Sequence, residues 1–595
     1  MTKKYWYQAN QKLIAKALSE LDFEEMFEFD REVAMSKDIA RITLVLNKVT
    51  WQFDARKSIW GMYNPIINSI NNENSNNPTI SEFLIDLQAT IKINDIDLSG
   101  LIEEMNQTLF SEVERVKILE HVTASDIINC DETQRQRYLD AHPKLIANKG
   151  RLGWGEDELQ RYSPETGIGF QLRYVAVHHS LCHSGFRDDL AADDLIKATM
   201  SPSDYDSLHV QLPKGHEADY LMIAIHPWQY QRFIRIQFQD YFEDGRFIDL
   251  GYSQALWQPQ QSIRTLSALS PATKFDVKTA VTILNTSCYR GIPGKYIQQG
   301  AAISTWLADI ASSDPLLNSR GLKVQQELGG IFVSHPYQSQ IEGAYRYNEM
   351  LGCIWRERAE SVINSAQRPM SMATLMQDDG KGNACILALI DASGLSQEQW
   401  LTQLFRHVVI PLYHLMCQYG VGLVAHGQNV TLTLENNQPV GCIIKDFHGD
   451  LRLVDEELPE LDSLDDDIKQ NLTRLPAKYL VHDLLTGHFV TVLRFISPWL
   501  DTEWLEQNGL KHQGISETKF YGLLANEIQR YQAEHSHLAP RFEAFNLLSE
   551  HIDKVCLNRV KFKIGYGESN QRPLPELGEP ITNPLVLRLR AQDNE

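Results

Sequence analysis

Cysteine pairs are missing from this sequence. Its eight cysteines stand singly, with no C-x-x-C spacing, so neither a disulfide framework nor a cysteine zinc site is expected and the thiols are read as reduced. A basic excess is missing as well. The formal net charge of -21 argues against a general nucleic-acid binder, which needs a basic face, but leaves room for a local basic pocket. No uninterrupted apolar run reaches membrane-spanning length; the longest candidate, 401–424, is broken by Arg406, His407, His414 and Gln418. The first residues carry two lysines but no following apolar stretch of the secretory kind. A cytoplasmic protein without a membrane partner is the expectation. There is also no G-x-x-x-x-G-K-[ST], no G-x-G-x-x-G between a strand and a helix, and no G-x-S-x-G. Any use of ATP therefore runs through something other than a Walker loop.

What is present is a chain of 595 residues with 43% hydrophobic content, enough for large cores and two to four domains. Leu13, Ile14, Ala17, Leu18 and Leu21 recur at helical spacing, and the first 120 or so residues read as mainly helical. The asparagine-rich 68–78 reads as a solvated connector. From about Arg161 to Pro369 the pattern is mixed: 170–177 and 220–225 read as strands, 274–288 and 301–311 as helices. The polar 370–383 looks like a boundary. Beyond it Ser396 and Gln399 form a capping box for a helix carrying Leu401, Leu404, Phe405, Val408, Leu412 and Leu415, which stops at Gly420. The acidic 455–467 reads as a solvated loop.

Three constellations carry candidate chemistry. The stretch 424–450 reads as a β-hairpin turning near Asn437, with Val430, Leu432 and Leu434 on one strand and an apolar run to Ile444 on the other. Antiparallel pairing then brings His426, Gln428 and Asn429 beside Lys445, Asp446, His448 and Asp450. Amide and imidazole donors next to carboxylates suit a nucleotide triphosphate and its divalent metal; a merely polar rim is the alternative. The second constellation holds Ser262, Arg264 and Thr265, with Lys278 and Arg290 expected near the two ends of one helix. Such donors can converge on a polyphosphate, or they can simply face water. The third is 141–154, where His142 precedes Lys149 and Arg151, bracketed by Gly150 and Gly153. Basic residues flanked by glycine can approach a carboxylate closely; a surface turn is the alternative. The motif HPWQYQ, 226–231, is weak alone. His178, His179, Cys182 and His183 suggest zinc only superficially, since adjacent residues of a strand face opposite ways.

In order along the chain, HP…NKGR, QQSIRT, KTA…N-x-S-x-x-RG, HGQN and KDF-x-x-D resemble the NRPS-independent siderophore synthetases, the aerobactin synthetase-like family. The particular forms of QQSIRT, RG, HGQN and KDF resemble the subgroup that condenses acylated hydroxamate units, which includes the synthetases of desferrioxamine, alcaligin, bisucaberin and putrebactin. The resemblance implies an α+β, helix-rich cupped hand: a helical thumb over 1–160, α/β fingers over 161–375, and a palm over 376–595, with antiparallel sheets in fingers and palm. It implies an ATP-dependent carboxylate–amine ligase using Mg²⁺. It places phosphate contacts on Ser262, Arg264, Thr265, Lys278 and Arg290, and nucleotide contacts on His426, Gln428 and Asn429, with Arg264, Lys278, Arg290 and His426 catalytic. It puts the metal on Asp446 with Asp450 second, and the acyl substrate on His142, Lys149 and Arg151. The expected substrate is an N-hydroxy-N-succinyl diamine (cadaverine or putrescine type), joined and closed to a macrocycle by what is commonly a homodimer. The alternatives are a synthetase that condenses citrate or a citryl intermediate, a non-catalytic ferric-siderophore-binding protein, and a phosphate-transferring enzyme. In citrate-using relatives a glutamate often stands two residues before the histidine; here that residue is Val424.

Overall fold

The computed structural model describes residues 3–270, 273–447, 449–502, 505, 514–564 and 576–587. Its N-terminal part opens with the helix Lys3–Phe23, whose Leu13, Ile14, Ala17, Leu18 and Leu21 are buried. The expectation of a mainly helical start missed a five-stranded antiparallel sheet between this helix and the helices Ile80–Ile91 and Asp95–Leu119. In Ile39–Leu46 every second side chain is buried (Ala40, Ile42, Leu44, Leu46), the period of a half-buried strand. Asn47 and Lys48, both at positive φ, close a two-residue turn into Val49–Lys57.

The centre is an eight-stranded sheet, antiparallel throughout, in the order Cys182–Phe186, Glu327–Val333, Gly352–Glu357, Phe275–Thr279, Thr265–Ala268, Phe247–Pro259, Phe170–His178, Tyr220–Ile225. The strands expected at 170–177 and 220–225 are present, as is the helix around 301–311, observed as Gly300–Ser313. The helix expected over 274–288 is not. That stretch forms Phe275–Thr279 and Val281–Asn285, and Cys288–Arg290 folds back on the latter after a turn at Thr286, φ 61°. Thr279, Val281, Thr282 and Ile283 explain the outcome. β-branched side chains fit a pleated surface better than a helix.

Among the described residues, the last third packs helices around smaller sheets, two of which frame the hairpin. Leu322–Val324, Gln438–Ile444, Val430–Glu435 and Gln367–Ser371 form one, with a parallel pair at its edge; Val421–Leu423, Leu451–Val454 and Thr473–Leu475 form the other. Ser396 and Gln399 make the expected capping box. The helix they start runs through a π-helical turn at Phe405–Val409 to Tyr419 and ends at Gly420 in the left-handed region. The mixed α+β fold is as expected.

Candidate functional site

The hairpin pairs Val430 with Ile444 and Glu435 with Gln438, across Asn436 and Asn437 at φ 51° and 62°. This is the two-residue turn that left-handed asparagines favour. One step beyond the ladder, the Lys445 amide donates to the Asn429 carbonyl at 3.1 Å, so Gln428 and Asn429 stand beside Lys445 and Asp446 as the pairing required. His426 Nδ1 accepts from the Gln428 amide at 3.2 Å. Asn429 Nδ2 donates to the Val424 carbonyl and to Asp450 Oδ2, each at 3.0 Å, and the Val424 amide donates to the Asp450 carbonyl at 2.9 Å. Asp450 is thus held next to Val424, across the strand pair that joins Leu423 to Leu451. His448 lies outside the described residues.

Opposite this end of the hairpin stands one face of the eight-stranded sheet. Thr265 pairs with Lys278 and Ser267 with Asp276; Asp276 pairs in turn with Arg356. Side chains two residues apart share a face, so Thr265, Ser267, Asp276, Lys278 and Arg356 project together, while Leu266, Val277 and Trp355 enter the core on the other side. The loop before Thr265 is tightly braced. Ile263 takes φ 69° although it is β-branched and buried, a strained position for such a residue. Gln260 Nε2 donates to Ser267 Oγ and Asp276 Oδ2, both at 2.9 Å, and Gln261 Nε2 to the Gln136 carbonyl at 2.8 Å. The Thr265 amide donates to Ser262 Oγ at 3.3 Å, and the Arg264 guanidinium donates to the Gly291 carbonyl. Arg290, on the strand beyond, donates to Thr286 Oγ1 at 2.5 Å.

The two halves meet at Asp446. The Lys278 ammonium binds Asp446 Oδ1, and Arg356 Nη1 lies 3.3 Å from Oδ2. Burial pushes the Asp446 carboxyl up, but Lys278 and Arg356 outweigh it and hold it well below the usual carboxylate range. Lys278 is itself lowered, first by burial, against the pull of Asp446. His426 is lowered by burial despite Asp450 and Asp446 nearby. His142 is held well below its ordinary value, by burial first and then by the proximity of His426, Lys16, Lys144 and Arg290. His426 and Arg290 thus lie close enough to His142 to act on its charge. Both imidazoles are neutral at neutral pH.

Lys149 and Arg151 are taken up by the protein's own carboxylates. Lys149 is wholly buried, 2.8 Å from Glu112 and 3.1 Å from Asp140. Arg151, 1% exposed, clasps both oxygens of Glu165 at 2.9 Å. Gly150 is packed so closely on Glu104 that no side chain fits. The carboxylates these basic residues approach are the protein's own, and the segment is neither an open substrate loop nor a surface turn. HPWQYQ is structural as well. His226 packs among Trp154, Tyr162 and Phe170, and Gln229 exchanges hydrogen bonds with Thr282 at 2.8 Å. His178 and His179 stack on each other at 4.8 Å because the strand ends between them.

The sequence reading missed Arg356, and with it Asp483 and His488. Asp483, in the helix His482–Leu484, accepts from the Ala425 amide through its carbonyl at 3.2 Å. Burial raises its side chain to about 7 against the opposing Arg452. His488 Nδ1 donates to the Ala425 carbonyl at 2.9 Å. The residue before His426 is thus gripped at both backbone groups. In the sequence Arg356 is only a cation closing the apolar run C-I-W, and its place on the site's face is legible only once the strand register is known.

A profile described as the IucA / IucC family matches residues 132–377, and one described as Ferric iron reductase FhuF-like transporter matches 398–568. An aerobactin synthase of Escherichia coli is 39% identical over 592 residues, covering 99% of both chains. A putrebactin synthase of Shewanella sp. (strain MR-4) is 28% identical, covering 94% of this chain and 87% of that one. The structure of the aerobactin synthetase IucC from Klebsiella pneumoniae superposes with a TM-score of 0.86 at 36% identity, covering 99% of this chain and all of the other. The fold is shared too with the ATP-bound aerobactin synthetase IucA of Klebsiella pneumoniae, TM-score 0.76 at 16% identity, covering 97% and 99% of the two chains.

Proposed function

This chain belongs to the IucA/IucC family of siderophore synthetases, and from that premise we propose that it activates a carboxylate with ATP and joins it to an amine. The observation that carries this reading is the meeting of Lys278 with Asp446 across the seam between sheet and hairpin. Arg264 and His426 lie close enough to Asp446 to interact with its charge, and Arg290 and His426 with that of His142. In the first step a substrate carboxylate oxygen attacks the α-phosphorus and pyrophosphate leaves. Ser262, Arg264, Thr265, Lys278 and Arg290 bind the phosphates and meet the charge that builds on the leaving group. Gln428 and Asn429 sit at the nucleotide wall. In the second step the amine attacks the acyl carbon and the bond to AMP breaks. His142 and His426, whose Nδ1 atoms accept from the amides of Leu145 and Gln428, carry their protons on Nε2 when neutral and can donate to a phosphate or acyl oxygen. The amine's proton leaves with the departing AMP or to water. Amide formation otherwise needs little beyond proximity and exclusion of water.

The donor set fits Mg²⁺ carried by ATP. That ion commonly takes one or two carboxylates and completes its shell with phosphate oxygens and water, and Asp446 and Asp450 both lie close enough to His426 to act on its charge. Such an ion would neutralise phosphate charge and ease departure of pyrophosphate. Asp450, fixed by Asn429 beside Val424, offers a carboxylate near the position where citrate-using relatives carry glutamate.

For the acyl substrate we favour a citryl intermediate, because the relative named aerobactin synthase is matched at higher identity and over more of its length than the putrebactin synthase. An N-hydroxy-N-succinyl diamine is the second reading, supported by the putrebactin synthase and by the forms of QQSIRT and KDF. The deciding experiment incubates the protein with ATP, Mg²⁺ and an amine beside each class of acid and separates the nucleotides. AMP with pyrophosphate is expected, together with an amide from the citryl acid; ADP would replace the ligase with phosphate transfer. Turnover only with the succinyl hydroxamate would exchange the two substrate readings.

A further inference from the structure

We propose that Arg356 is a positioning residue of this site, the cation that keeps the Asp446 carboxylate in place when Lys278 is drawn onto a bound triphosphate. The inference rests on the nucleotide reading above and adds a division of labour between the two cations. Asp446 has one on each oxygen: the Lys278 ammonium on Oδ1 and Arg356 Nη1 at 3.3 Å from Oδ2. A triphosphate competes for the first. Lysine is a point charge on a flexible stem and moves readily between acceptors. If Lys278 were the sole counter-charge, phosphate binding would strip Asp446 of its partner just as the carboxylate is needed.

Arg356 is built for the complementary part. It lies in mid-strand in Gly352–Glu357, flanked by Phe275–Thr279 and Glu327–Val333, and is 1% exposed. Its side chain has nowhere to swing. All three guanidinium nitrogens are buried without a hydrogen bond partner, and Asp276 is no nearer than 4.0 Å. A buried guanidinium lacking hydrogen bonds is costly. Its fork matches a carboxylate in two parallel bonds, so a small turn of Asp446 away from Lys278 would satisfy it. Asp446 sits at φ 66°, a conformation that a non-glycine residue holds only when its surroundings fix it. Two cations on a rigid sheet provide that fixing, and only one of them can leave.

A double-mutant cycle with Arg356→Gln and Asp446→Asn tests this, read in two ways: ATP affinity by calorimetry with and without Mg²⁺, and thermal unfolding of the nucleotide-free protein. Arg356→Gln is expected to weaken ATP binding about tenfold with Mg²⁺ and much less without it, with partial recovery in Arg356→Lys, and to have no further effect in the Asp446→Asn background. An equal loss in both backgrounds would overturn the proposal, as would an equal loss with and without the metal. If Arg356→Gln fails to fold, Arg356→Lys goes through the same cycle, with a loss of about threefold expected. Should the unaltered protein bind no ATP, the nucleotide reading fails; the unfolding cycle still decides whether Arg356 acts through Asp446, and additive shifts there would refute it.

Discussion

A lysine with no exposed surface does not wait in water for a substrate. Lys149 and Arg264 both read as candidate anion contacts, yet the structure spends Lys149 on Glu112 and Asp140, while Arg264 lies at the seam, close enough to Asp446 to help lower its carboxyl. Their substitutions should therefore separate. Lys149→Met takes one partner from the buried Glu112, which keeps Arg115, and one from the part-exposed Asp140, which keeps Lys16. A drop in the unfolding midpoint is expected, with KM for the acid little changed in whatever fraction remains folded. Arg264→Ala should keep the midpoint and lower turnover at least about tenfold, the order expected for one charged contact to a transition state. Unfolding curves and steady-state kinetics on the two variants check this; the reverse pattern would restore Lys149 to the substrate site. Residue types alone did not distinguish the pair. QQSIRT and NKGR each carry basic residues in a loop, and burial is what divides them.

Elements were legible where turn chemistry marked both ends. Asn436-Asn437 fixed the hairpin register, and through it the neighbourhood of Asn429 and Asp446. The strands between Phe275 and Arg290 lacked such marks, and their β-branched residues gave way to a helical reading that put Lys278 and Arg290 on the wrong element. The grip on Ala425 had no local sign at all. It comes from Asp483 in the helix His482–Leu484 and from the nine-residue π-helix Leu485–Leu493 that follows, whose Gly487 approaches so near that an added Cβ would lie 3.0 Å from the Ala425 amide. There His488 donates from Nδ1 to the Ala425 carbonyl, and burial lowers it to about 4. In the unfolded chain the same group titrates near 6.5. Between these values the unfolded state binds a proton that the folded state refuses, so stability rises with pH across the window; it is complete above about 6.5 and lost toward 4. His142 and His426, also lowered, act in the same direction. Asp483, raised to about 7, gains stability over the same range as pH falls and so opposes the imidazoles. The check is therefore the difference between the unaltered protein and His488→Gln, whose midpoint should fall less, or rise more, as pH goes from 7 to 5. An unchanged pH dependence in that variant would contradict a buried neutral His488.

At the scale of the whole molecule, the N-terminal helix and the last third of the chain share one core: Phe23, Trp60 and Leu119 cluster with Phe405, Leu493 and Tyr521. Trp60 Nε1 donates to the Tyr521 hydroxyl at 2.7 Å, and Glu24 accepts from the amides of Leu557, Asn558 and Arg559. Contacts between residues more than 400 apart leave no trace in local pattern, which is why the chain read as a series of parts. The strongest link is Arg494, whose Nη2 reaches both Glu20 oxygens at 2.7 Å with each side chain almost fully buried. Its guanidinium also lies 4.6 Å from the Phe23 ring centre. Glu20→Ala would leave that cation buried beside an aromatic face with no carboxylate, a change of about 3–5 kcal/mol. If the two ends of the chain form one cooperative unit, this loss moves a single urea transition to lower concentration, and tryptophan fluorescence and far-UV circular dichroism move together. Two separated transitions after the substitution would mean that the N-terminal part stands without the last third of the chain. Binding would then have to assemble the site around His142, instead of finding it already closed against His426.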